Sequence, residues 1–144
     1  MKYSVTINAP LSTVFQTIAT ASEREQWTRD VISITYNDPA SEQNEGTTFQ
    51  QKQKEGKMTN TYEGKNLQVT EPSLFSYQLM NKAFTMTVSY HLTDQGEMTL
   101  VEQRYEVEYH NRFAKFMGKL FQGMTNKIAK DILDGLKRYV EKKE

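Results

Sequence analysis

Alternation of apolar and polar residues dominates the middle of the chain. Phe84, Met86, Val88, Tyr90 and Leu92 alternate with Thr85, Thr87, Ser89 and His91. A period of two with one dry face marks a half-buried strand. Val101, Gln103, Tyr105, Val107 and Tyr109 repeat the pattern against Glu102, Arg104, Glu106 and Glu108. Shorter strands are expected at "KYSVTIN", "VISITY" (Ile32, Ile34 and Tyr36 together), "TTFQQKQK" (Phe49, Gln51 and Gln53 together) and "LFSYQLM" (Phe75, Tyr77 and Leu79 together). "MTNTYEGKNLQVTEP" reads as a long strand whose parity changes near Gly64, from Met58, Asn60 and Tyr62 to Leu67 and Val69. A β-bulge is expected there. Asp94 to Gly96 is a turn signal. One wet and one dry face on every strand predicts an antiparallel sheet covered on a single side.

Helical spacing appears at both ends. Pro10 stops the first strand and precedes Val14, Phe15 and Ile18, a short apolar face. Ser22 and Glu25 have the spacing of a capping box, and Trp27 is expected to anchor that second short helix. The last pattern covers about residues 110–142, which as one straight helix would span ~50 Å. A globule of this size is only ~37 Å across, so a bend or a projecting end is expected. Phe113 to Met124 form one stripe, Ile128, Ile132 and Tyr139 another rotated by ~75°, and Gly118 and Gly123 lie near the change.

The order β-α-α-β6-α, over residues 1–144 as a single domain, resembles the START-like (SRPBCC), or helix-grip, superfamily. The resemblance rests on "INAPLSTVF" (Ile7 to Phe15), Trp27 before "VISI", Gly46 opening the next strand, "VTEPSLFSY" (Val69 to Tyr77) and the final helix. Polyketide cyclases/dehydrases, lipid-transfer START domains, plant pathogenesis-related class-10 proteins and Hsp90-activator-like domains are of this type. The resemblance implies an α+β fold, in which a curved seven-stranded antiparallel sheet wraps around the long C-terminal helix. It also implies an apolar cavity between them for a lipid, polyketide-like or other hydrophobic molecule. It brings no universal catalytic motif.

Composition narrows the chemistry. The chain has no cysteine, which removes disulfides, thiol nucleophiles and thiolate metal sites. His91 and His110 are its only histidines, and no HExxH, GxGxxG or P-loop spacing occurs. No metal, cofactor or nucleic acid is therefore expected. Both histidines read first as structural, His91 on a wet face and His110 at a strand-to-helix corner. No apolar run suits a signal peptide or a membrane span, so a cytoplasmic protein without integral membrane association is expected. Residues 110–144 hold 9 basic and 4 acidic side chains, against 9 and 14 in residues 1–109. The first reading is a solvated basic helix face; the sharper one is attraction to an anionic surface.

The candidate site follows from strand parity together with the implied cavity. Gln51, Gln53, Asn60, Tyr62, Tyr77, Tyr90, Gln103 and Tyr105 are polar groups on inner faces. They either bond one another, backbone or water, or orient a ligand in a partly hydrated cavity. The cavity-lining candidates are Phe49, Gln51, Tyr62, Tyr77, Phe84, Met86, Val88, Gln103 and Tyr105 from strands. The helix adds Phe113, Met117, Leu120, Phe121 and Met124. Binding of one hydrophobic or amphipathic small molecule is the leading expectation. A polyketide cyclase/dehydratase-like enzyme and an Hsp90-activator-like interaction protein are the alternatives. Monomer and homodimer both remain open.

Overall fold

A computed structural model describes residues 2–143. Strand β1 (Lys2–Ile7) leads into helices α1 (Leu11–Ala19) and α2 (Ala21–Trp27). Strands β2 (Val31–Tyr36), β3 (Thr48–Glu55), β4 (Met58–Thr70), β5 (Leu74–Met80), β6 (Phe84–Gln95) and β7 (Met98–Tyr109) follow. A 3-10 turn at Pro39–Ser41 interrupts the connection between β2 and β3. Helices α3 (Arg112–Leu120) and α4 (Gln122–Lys143) end the chain.

The seven strands form one antiparallel sheet in the order β1-β7-β6-β5-β4-β3-β2. β1 crosses back to pair with β7, so the two ends of the fold meet at one edge. This is the helix-grip arrangement, with α4 laid across the inner face of the sheet. Inner-face parity is as the alternation predicts for β6, where Val88, Tyr90 and Leu92 are buried. The residues that α4 buries are Ala129, Ile132, Leu133, Leu136 and Val140.

Four local expectations are corrected. The bulge in β4 lies between Asn66 and Gln68, not at Gly64. Inward parity therefore runs on through Tyr62, Gly64 and Asn66 before it flips to Val69. Gly64 has a different role: a Cβ there would overlap the ring of Phe49. A second irregularity between Val31 and Ser33 takes Ile32 off the inner face, leaving it 51% exposed while Ile34 and Tyr36 stay buried. The N-cap of α2 is Thr20, so Ser22 lies inside the helix. Glu25 accepts from the Ile34 backbone N–H at 2.7 Å, fastening α2 to β2 instead of closing a capping box.

The long C-terminal helix is broken at Phe121, between the two glycines. Gly118 lies against Tyr109, whose ring occupies the space a Cβ would need. Gly123 faces open space. The phase shift of the apolar stripes falls at this break: α4 buries its stripe, whereas α3 leaves its own exposed. His110 closes the corner before α3, with Nε2 2.9 Å from the Thr85 hydroxyl and Nδ1 3.2 Å from the Lys82 carbonyl.

Candidate functional site

A cavity of about 490 Å³ lies between the inner face of β3–β7 and the first half of α4. Its size is within the range of small-molecule sites. One wall is apolar: Leu79, Phe84, Met86 and Val88 from the sheet, Ile128 and Ile132 from the helix. The other wall is polar: Gln51, Gln53, Glu55 and Tyr62 from the β3–β4 hairpin, with Thr28 and Asp30 from the turn after α2. An amphipathic space results because β3 carries amides at inward positions where β6 carries hydrocarbon.

The polar groups form short local networks. Gln51 donates to Gln53 at 2.7 Å. Tyr62 donates its hydroxyl to the Glu55 carboxylate at 2.8 Å, and Asn60 donates to the same oxygen. Burial, with the Glu55 carboxylate adding to it, raises the Tyr62 phenol well above its ordinary value. Burial likewise raises Tyr77 and Tyr105. These phenols stay protonated across the physiological range. They can donate or accept hydrogen bonds to a ligand but resist giving up a proton.

Eight of the sequence-derived candidates meet at this cavity: Gln51, Tyr62, Tyr77, Phe84, Met86, Val88, Tyr105 and Met124. Six do not. Phe49 is 0% exposed and lies behind the wall, its ring 4.8 Å from that of Tyr36. Gln103, also fully buried, donates from Nε2 to the Ala129 carbonyl at 3.1 Å and so ties β7 to α4. Phe113, Leu120 and Phe121 are exposed, and Met117 is half-buried away from the cavity. The physical reason is the Gly118–Tyr109 contact: α3 approaches the sheet with its small-residue side, which turns the apolar stripe outward.

Arg24 and Asn66 escaped the sequence reading. Arg24 is 0% exposed and has no carboxylate partner among the described residues. It donates from Nη1 to the Ile18 carbonyl at 2.8 Å and from Nη2 to the Tyr36 hydroxyl at 2.9 Å. Its guanidinium carbon lies 5.2 Å from the ring centroids of both Phe75 and Tyr77 and 5.8 Å from that of Phe49. The aromatic faces take the place of a counter-ion. Tyr36 passes the network on to Asn66 at 2.7 Å, and Asn66 donates to the carbonyls of Glu42 and Asn44. The one sequence signal was the spacing Ala21, Arg24, Trp27, three residues apart on one helix face. The cavity residue Tyr77 is thus fixed from behind by a buried cation.

An antiparallel sheet gripping a helix over an amphipathic cavity defines the helix-grip class of protein. Within that class the family described as polyketide cyclase/dehydrase and lipid transport matches residues 1–141, and the chain belongs to it. The fold is similar to that of the Zhui aromatase/cyclase from Streptomyces sp. R1128, with a TM-score of 0.78, 10% identity, and coverage of 98% of this chain and 92% of that one. Ara h 8.0201 is similar with a TM-score of 0.71, 12% identity, and coverage of 97% and 95%. The di-domain ARO/CYC StfQ of the steffimycin pathway is similar with a TM-score of 0.75 and 13% identity. There the match covers 98% of this chain but only 44% of that protein, less than half its length. At these identities the likeness is one of fold. Comparison with curated proteins finds no match.

Proposed function

We propose that this protein binds one hydrophobic or amphipathic small molecule, lipid or polyketide-like, in the cavity between sheet and α4. The observation that carries the reading is the division of a 490 Å³ space into an apolar wall and a polar wall. A chain or ring system would lie along Phe84, Met86, Val88 and Ile128. An oxygen-bearing end would meet Gln51, Gln53 and Tyr62. Family membership supports the same ligand class.

The test is native mass spectrometry of freshly purified protein, followed by titration with a fluorescent fatty acid. Saturable binding at one molecule per chain is expected. Met86→Trp should fill the cavity and weaken binding at least tenfold while the protein still melts cooperatively. Absence of saturable binding of fatty acid, and of any co-purified molecule, would overturn the reading.

A second reading, a cyclase or dehydratase-like enzyme, draws on the Tyr62–Glu55 pair at the polar wall. A carboxylate within hydrogen-bond reach of a hydroxyl has the geometry of a proton-handling pair. Its raised phenol favours hydrogen bonding over proton transfer, so binding is preferred. Incubation with a linear poly-β-keto thioester analogue would decide: cyclised product lost in Tyr62→Phe supports the enzyme.

A further inference from the structure

Helix α3 is amphipathic and mounted inside out. None of its residues is buried. Of the ten exposed large apolar side chains among the described residues, five fall in residues 113–124: Phe113, Phe116, Leu120, Phe121 and Met124. Phe113 is 72% exposed and Phe116 62%. The side facing β7 carries Gly118 against Tyr109, with Lys115 and Lys119 bordering a small cleft there. A helix placed only to complete the core would point the stripe the other way.

The charges around this stripe have one sign. Residues 110–130 contain Arg112, Lys115, Lys119, Lys127 and Lys130 and no acidic residue. All five basic side chains are exposed. On the neighbouring strand, Glu106 and Glu108 alternate with the inward-facing Tyr105, Val107 and Tyr109, so they lie on the outer face of the sheet, away from α3. On the helical wheel Arg112 and Lys119 lie together along one border of the stripe, and Lys115 lies behind it. Phenylalanine and leucine on one face with lysine and arginine on the other is the composition of a helix lying in a lipid–water interface. The occupant that fits both halves of the surface is an anionic bilayer. A second copy of the chain would bring the five cations against five more.

We propose that α3 and the first two turns of α4 dock this protein onto anionic lipid surfaces. The stripe would enter the headgroup region while Arg112, Lys119 and Lys127 meet phosphate and carboxylate groups. Met124 and Thr125 also border the cavity, so docking would bring the cavity beside the bilayer. The inference stands on the exposed surface of α3 and the start of α4 and does not depend on what fills the cavity.

The experiment is co-sedimentation of the full chain with vesicles of phosphatidylcholine, with and without 30% phosphatidylserine, at low and high salt. Binding to the serine-containing vesicles at low salt is expected, at least tenfold stronger than to phosphatidylcholine alone and weakened by salt. Phe116→Glu/Leu120→Glu should abolish it, and Arg112→Glu/Lys119→Glu should reduce it at least tenfold. Both pairs are exposed, so their melting temperatures should match the parent protein. Met86→Trp, which tests the cavity, should still sediment with the vesicles. Lack of binding, equal binding to both vesicle types, or binding unchanged in Phe116→Glu/Leu120→Glu would overturn the proposal. So would a dimer in light scattering that Phe116→Glu/Leu120→Glu dissociates, in a protein that ignores vesicles.

Discussion

Arg24 is where a single side chain organises the most around it. Its charge sits among four rings and is met by one carbonyl and one hydroxyl, with Nε left without a partner among the described residues. Arg24→Ala removes a fully buried side chain and strips the donor from the Ile18 carbonyl. The expected loss is about 3–5 kcal/mol in urea unfolding, the sum of a core cavity and an orphaned buried acceptor. Arg24→Met keeps most of the volume and should recover part of that loss, leaving about 1–3 kcal/mol for the unmet acceptor. A loss below about 1 kcal/mol in Arg24→Ala would mean the guanidinium contributes no net stability there. Gly64 makes a contrasting case, since it is needed for what it lacks. Gly64→Ala should cost about 1–3 kcal/mol by driving the Phe49 ring from its place between Tyr36 and Tyr77. Combining it with Phe49→Leu should give a non-additive result, with the pair losing less than the separate losses predict.

Among elements, the contact between α2 and the end of α4 can be tested through pH. Tyr139 donates its hydroxyl to Glu23, and Lys143 lies 3.2 Å from the same carboxylate. The Tyr139 hydrogen bond, aided by Lys143, holds the Glu23 carboxyl below its ordinary value. The same bond pushes the Tyr139 phenol up to about 12. A depressed carboxyl stabilises the fold above its unfolded value of 4.5, and that contribution disappears as pH falls through the lower folded value. A raised phenol stabilises the fold below its unfolded value of 10.0, and that contribution disappears as pH rises toward 12. Tyr139→Phe should therefore lower the melting temperature between about pH 5 and 10 and converge with the parent at both extremes. A constant offset over the whole pH range would place the effect in packing alone. The break at Phe121 is the other decision made between elements. Gly118→Ala should push α3 away from Tyr109 and leave the α4 core intact, seen as faster amide exchange confined to residues 112–121.

For the molecule as a whole, a ligand that occupies the cavity must stabilise it. A fatty acid present at 100 times its dissociation constant should add about 2.7 kcal/mol, read as a rise in melting temperature that grows with concentration. Met86→Trp should show little of that rise. A rise equal in parent and Met86→Trp would locate binding elsewhere on the surface. β1 pairs with β7 at one edge and α4 lies against β1, so two elements that line the cavity, β7 and α4, are joined to the start of the chain. Ligand binding should accordingly raise the global unfolding transition and not a local one.

Much of this was legible before any coordinates. Strand parity on β6 and β7 placed Phe84, Met86, Val88 and Tyr105 on the inner face, because a pleated strand has only two sides and one had to be dry. The order of elements, the antiparallel sheet and a bend in the final helix followed from period and length; that the bend is a full break at Phe121 did not. Three other things did not follow. Bulges at Val31/Ser33 and Asn66/Gln68 shift the faces of Ile32 and Leu67, since a one-residue slip depends on the neighbouring strand. Arg24 drew no notice because "SEREQW" has the composition of a surface helix, and only four rings from three separate strands make its burial tolerable. Period alone showed that Phe113, Phe116 and Leu120 share a face. Which way that face points was set by Gly118 meeting Tyr109, a contact between a helix and a strand that local sequence cannot encode.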